Sequence, residues 1–202
     1  MDIKYELTQE TITIDNHTLH RIRALRDIGE VVESGDFGGF VESEDNLWHA
    51  CNAWIGDDAK VYENAQVWGN ARISDAARVF GDSQIYDNAN VFEDAHVSGH
   101  SRIDEFAMVF GDSRVSEYAR ISGNTEVFET AQISGYAWVS GDVWISGDAW
   151  VSGDVGIYGK AWIAKGIKLD HGIWNKTIKI DGIYYLISTT LRKVLLGVLN
   201  VE

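Results

Sequence analysis

The side chains most able to do chemistry in this 202-residue chain are six histidines, one cysteine and 31 carboxylates. The histidines are His17, His20, His49, His96, His100 and His171. Two of them fall together in the stretch HVSGH, where His96 and His100 are four residues apart. A histidine acts as a general base when a second group orients it and a substrate lies within hydrogen-bond reach. Asp82 and Asp94 are the nearby carboxylates that could do the orienting. His96 and His100 are therefore the candidate catalytic pair if the chain is an enzyme. A catalytic zinc needs three protein ligands and an open position. No third histidine stands at a matching place, so no metal site is expected. Cys51 is alone, which excludes an intramolecular disulfide and a cysteine-rich zinc centre.

What would hold such residues in place is a repeat. From Ala53 to Gly166 the chain divides into 19 consecutive hexads with no insertion or deletion. The third residue of every hexad, from Ile55 to Ile163, is Val or Ile, and the first is small, with Ala in 13 of the 19. Ten of the fifth positions are Gly, and most of the rest are Asp or Glu. Alternation over the first four residues describes a strand with small and aliphatic side chains inward. The Gly, Asp and Asn that follow supply a corner. A strand and a corner every six residues leave no room for helices and give a parallel β-solenoid. The chain has no proline, as an unbroken hydrogen-bond ladder requires.

The segments IGDDAK, VWGNAR and ISGDAW in this repeat resemble the hexapeptide motif of left-handed parallel β-helix proteins. The resemblance implies three hexads per triangular coil, a left-handed single-stranded β-helix and a little over six coils. It covers the hexads of residues 53–166. Residues 1–52 are expected to form an N-terminal β cap and the first coil, since Val41 and Leu47 already keep the six-residue spacing. Residues 167–202 are expected to form a C-terminal cap. There TIKI-DG-IYYLIS reads as a hairpin, and Leu191, Val194, Leu195 and Val198 recur at helical spacing behind Thr189 or Thr190, as in a short helix.

The stretches RIRALRDIG, GDFGGFVE and GIWNKTIKIDGIYYLIS resemble phage- and prophage-associated members of the hexapeptide group, often labelled acyltransferase-like. That resemblance implies a bacterial or bacteriophage source. It also raises one enzymatic alternative: an acyltransferase using acetyl-coenzyme A at an intersubunit site, with His96 or His100 as base. Against it, such enzymes usually break their coils with a pocket-building loop, and these hexads are unbroken. The expectation is a chain without a cofactor.

Residues 18 apart stack on successive coils, so outward columns can be read directly. One face carries Phe92, Phe110 and Phe128 in one column, and Met108, Trp144 and Trp162 in the neighbouring one. A long apolar stripe on a solvent face normally marks an interface. The terminal segments fold over it, the chain forms a homo-oligomer, a dimer or a trimer, through it, or it recognises a different protein or a ligand. The adjoining edge collects Asp57, Asp58, Asp75, Glu93, Asp94, Asp112, Glu129 and Asp148.

With 17 Lys and Arg against 31 Asp and Glu, the net charge is −14. That balance excludes direct binding of nucleic acid or an anionic membrane, which requires a cationic footprint. It suits a basic protein partner steered to the acidic edge, including imitation of nucleic-acid charge by an inhibitor. The first residues lack the apolar stretch of a signal peptide, and no run is long enough to span a bilayer. The expected location is the cytoplasm of a bacterial host. The expected function is a non-catalytic interaction protein that presents a rigid acidic and aromatic surface.

Overall fold

A computed structural model describes residues 3–164, 166–180 and 183–188. The molecule is all-β, a parallel β-solenoid of about seven turns. The Val or Ile at the third position of every hexad is buried, as is the small residue at the first, so the prism is filled by two stacked columns per side. Three flat sides result, each a parallel sheet in which partners differ by 18 residues. One runs Trp54, Arg72, Asn90, Met108, Glu126 and Trp144 in its second-position column. The next runs Lys60, Arg78, His96, Arg114, Gln132 and Trp150. The third runs Gln66, Gln84, Arg102, Arg120 and Trp138.

The corners have a single conformational requirement. The eight fifth-position acids Asp57, Glu63, Asp75, Asp87, Glu93, Glu105, Glu117 and Glu129 all have φ between 50° and 60°. The ten fifth-position glycines have positive φ too, for example 73° at Gly123. Left-handed backbone costs a side-chain-bearing residue about 1–2 kcal/mol. The glycines avoid that cost, and seven of the eight acids, all but Asp87, carry it in return for a hydrogen bond described below.

The turns outnumber those of the 19 hexads alone because the solenoid begins before the hexads become regular, as expected for residues 1–52, and continues after them. Strand β1 (Tyr5–Ile14) pairs antiparallel with β2 (His17–Ala24), and β2 with β3 (Phe37–Val41). Strand β3 then lies parallel to the first regular coil, Phe40 beside Lys60 and Val41 beside Val61, while Leu47 bridges to Val67. At the far end the strand Lys168–Ile180 extends the solenoid beside Trp150 and Ile157, then pairs antiparallel with Ile183–Ser188. The Asp-Gly turn and the expected C-terminal helix lie outside the described residues.

The ladder has a polarity that determines what its N-terminal cap must supply. Each coil donates its N–H groups to carbonyls of the following coil, as Gly56 N does to Ile73 O. The first coil therefore ends in unsatisfied carbonyls, and an unpaired buried carbonyl is costly. Donor side chains close it. Lys4 Nζ donates to Ala53 O at 2.7 Å and Cys51 O at 3.2 Å, Asn46 Nδ2 to Ala65 O at 2.8 Å, and Tyr5 Oη to Leu47 O at 3.0 Å. Lys4 and Asn46 are completely buried.

Burial lowers the Lys4 pKa from 10.5 to about 8, against a smaller upward pull from Cys51. Between those values the unfolded chain binds more protons at Lys4 than the folded chain does. Stability therefore rises with pH across that window, by about 3 kcal/mol for a shift of this size. Urea unfolding at pH 7.5 and 10 measures it. The pH-dependent gain should be larger in the wild type than in Lys4→Met, and equal gains would show that the ammonium is not desolvated.

Candidate functional site

The apolar face is built by the repeat itself. Phe92, Phe110 and Phe128 occupy the fourth position of hexads one coil apart, where alternation turns side chains outward. Their rings stack, with centroids 4.8 Å and 5.2 Å apart and planes within 6° of parallel. Met108 flanks the stack, and Trp144 and Trp162 continue the strip toward the C-terminal end, 49% and 58% exposed. The structure thus brings all six predicted residues to one side.

It adds Phe106, which is 62% exposed at the preceding corner of the Met108 coil. That residue was missed because corners were read only for turn residues. The string FAMVF, with an aromatic residue where Asn or Asp normally stands, carried the signal.

Described terminal segments do not cover this strip, except at its N-terminal end. Trp54 is 5% exposed there, and the Arg72 guanidinium would lie 3.3 Å from a Cβ on Gly29. The β1–β2 hairpin instead packs on the second face, where Leu19 and Phe40 bury Tyr62, with Phe80, Ile12 and Ile14 against them.

The eight predicted acids do line one edge, next to the phenylalanines, but they are of two kinds. Asp57 accepts from Asp75 N at 3.2 Å, Asp75 from Glu93 N at 3.1 Å and Glu93 from Gly111 N at 2.9 Å. Glu129 accepts from Gly147 N at 2.6 Å, and Asp148 from Gly166 N at 2.7 Å. These five carboxylates reach one coil onward to a backbone N–H at the corner. Glu63, Glu105 and Glu117 do the same at the other two edges. Asp58, Asp94 and Asp112 have exposed carboxylates that make no such bond.

Replacing Glu129 by Ala should therefore cost about 1 kcal/mol, the net worth of one such bond. Asp112→Asn should change stability by no more than about 0.5 kcal/mol. Equal effects in urea unfolding would show that the corner bonds contribute nothing.

The candidate catalytic histidines are adjacent but differently placed. His96 lies on the second face between Arg78 and Arg114 in the strand ladder. Burial and then those two cations lower its pKa, against a smaller raising effect of Asp94 and Asp112. Asp94 makes no hydrogen bond to it. His100 stands on the next corner, where Asp82 Oδ2 is 3.3 Å from Nδ1 and the imidazole stacks on Tyr118 at 4.8 Å. Its side chain is 52% exposed.

The space beside these residues is open. A shallow depression of about 360 Å³ is lined by His96, Arg114, Gln132 and Trp150. Another, of about 580 Å³, lies beside His17, Glu42, Glu63 and Asp82. His17, not singled out in the sequence, is held there by Glu42 at 2.9 Å, a hydrogen bond that raises its pKa. A coenzyme A thioester needs walls that exclude water and donors aimed at its carbonyl oxygen. The exposed His100 corner offers no such walls within one chain. Among the described residues no group of three or more His, Cys, Asp or Glu side chains is placed to hold a metal ion. No described helix is long and apolar enough to cross a membrane.

Fold and surface together define a parallel β-solenoid with one long aromatic side and a carboxylate edge beside it. No protein-family model matches the chain, and no curated protein matches it.

Proposed function

We propose that the chain is a non-catalytic interaction protein, phage-encoded and acting in the bacterial cytoplasm, whose acidic edge docks a basic protein while its aromatic face binds a second copy. The carrying observation is the contiguity of the two surfaces. Phe92 is followed directly by Glu93 and Asp94, and Phe128 by Glu129, so an apolar strip runs beside a row of carboxylates. Apolar side chains supply the affinity of an association, and the charges steer and select the partner. The phage source rests on the resemblance of the terminal segments, and the cytoplasmic location is consistent with the lone cysteine.

Asp58, Asp94 and Asp112 allow a clean test, because neutralising them removes charge without removing a corner hydrogen bond. A triple Asp→Asn variant should fold normally and lose capture of a basic protein that the wild type binds and releases in high salt. Capture that ignores both changes would remove the docking reading. Phe110→Glu should leave the circular-dichroism spectrum intact and reduce the sedimenting mass to that of one chain. An unchanged oligomeric mass in a folded variant would remove the self-association reading.

The Asp82–His100 pair is the one observation favouring an acyltransferase assembled between subunits. A saturable rise in melting temperature with acetyl-coenzyme A, lost in His100→Ala, would support that reading over ours.

A further inference from the structure

We propose that the aromatic face is a two-fold interface between antiparallel rods, with the axis lying along the row Phe106, Met108 and Phe110. The proposal rests on the reading of that face as a self-association surface, and specifies its geometry. A two-fold contact uses one patch on both partners, so the patch must complement itself. For antiparallel rods the axis runs along the strands. Each outward column then meets its own reverse, and a residue one coil above the axis faces the residue one coil below it.

The columns meet that condition. The fourth-position column reads Ser74, Phe92, Phe110, Phe128, Ser146, each one coil from the next. Reversed about Phe110, phenylalanine faces phenylalanine, and Ser74 falls opposite Ser146, which Trp162 of its own chain covers and donates a hydrogen bond to. The second-position column reads Arg72, Asn90, Met108, Glu126, Trp144. Reversed about Met108, Asn90 faces Glu126, a donor against an acceptor. Arg72, whose guanidinium lies against the Gly29 segment of its own chain, falls opposite the exposed Trp144. The corner column of Phe106 has asparagines one coil away on each side, at 88 and 124. All three centres fall in the same coil.

A parallel two-fold arrangement fails the same examination. It would set the fourth-position column of one rod against the second-position column of the other, level by level. Phe128 would then cover Glu126, burying a carboxylate against an apolar ring without a donor. The ends of the strip agree with the antiparallel choice. Its N-terminal end is covered around Trp54 and Arg72, whereas its C-terminal end leaves Trp144 and Trp162 open. Antiparallel rods place each covered end opposite the partner's open end.

The arrangement has an electrostatic signature. It lays the acidic edges of the two copies side by side, with Asp112 next to its own counterpart. The dimer therefore carries a double row of carboxylates, which is a stronger site for a basic partner than either edge alone. Self-association should be strengthened by salt, which screens the like charges. Docking of the basic partner should be weakened by it.

Engineered cysteines decide the geometry. In a Cys51→Ser background, Asn90→Cys and Glu126→Cys lie opposite each other across the proposed axis. Each lies two coils, about 10 Å, along the rod from its own copy in the partner, in addition to the roughly 10 Å between facing sheets, so only the opposed pair is within reach of a short cross-linker. Treated with a thiol-reactive cross-linker that spans about 10 Å, the spacing of sheets packed face to face, a mixture of the two variants should give a covalent dimer mapped to the 90–126 linkage, and neither variant alone should. Sedimentation equilibrium of the wild type should show tighter association at high salt. An oligomer whose single variants link to themselves, or whose mixture links no better than they do, overturns the antiparallel axis and leaves self-association standing. A wild type that remains monomeric at every concentration and salt overturns both.

Discussion

Gly135→Ala should destabilise the protein by about 3 kcal/mol or more, a large effect for one added methyl group. Gly135 has a φ of 71°, where a Cβ costs about 1–2 kcal/mol in any setting. The new Cβ would also stand 2.4 Å from Gly153 N and 2.8 Å from Gly153 O. Both atoms are backbone in the next coil, so no rotamer change can relieve the contact, and the coils must separate locally. Gly166→Ala is the control. Its φ is 77° and nothing lies within 4 Å of the added carbon, so only that conformational cost of about 1–2 kcal/mol applies. Urea midpoints at constant m-value give the comparison. Equal losses at the two positions would show that coil-to-coil approach at corners is not limiting.

Ile121→Ala should cost about 3–4 kcal/mol and, in addition, split the unfolding transition. Ile121 is completely buried between Ile103 and Val139 in the column of the third face. Removing three carbons there leaves a cavity that the rigid strands around it can close only in part. In a stack where each coil touches only its neighbours, stability is a sum of local terms. A weak coil in the middle uncouples the two ends. The N-terminal coils keep their Lys4, Tyr5 and Asn46 closure and should melt last. Far-ultraviolet circular dichroism should resolve two steps where the wild type shows one, and hydrogen exchange should locate the early step beyond Ile121. A single step with a lower midpoint would mean that cooperativity extends over the whole rod.

The interior of this rod is legible in its sequence because one requirement recurs nineteen times. Val or Ile at the third position and a small residue at the first follow from the width of the prism, and no other contact competes with them. The outward columns were equally readable, since stacking by 18 residues places Phe92, Phe110 and Phe128 together without any knowledge of side-chain geometry. Corner chemistry was less so. A reading confined to single hexads explains Gly and Asp as turn formers, and misses that a carboxylate serves the next coil. The signal was present at a spacing of 18, in Glu63 before Gly81, Glu93 before Gly111 and Glu117 before Gly135. The N-terminal closure was not legible at all. The burial of Lys4 depends on which end of the ladder exposes carbonyls, a consequence of strand direction and not of local pattern.

The triangular cross-section also determines how such a chain can change its length. Excising 18 residues removes one full circuit and leaves every later side chain at its original azimuth. Excising six keeps the interior equally well filled, yet turns everything downstream by a third of a revolution. After a cut of six between Phe128 and Trp144, the two tryptophans would leave the phenylalanine side altogether, although no inward residue had been disturbed. Length and bearing are thus separately heritable in this molecule. Descendants can grow or shrink by whole circuits while their outer markings stay aligned, and a change of any other multiple of six yields a sound rod with its markings rearranged.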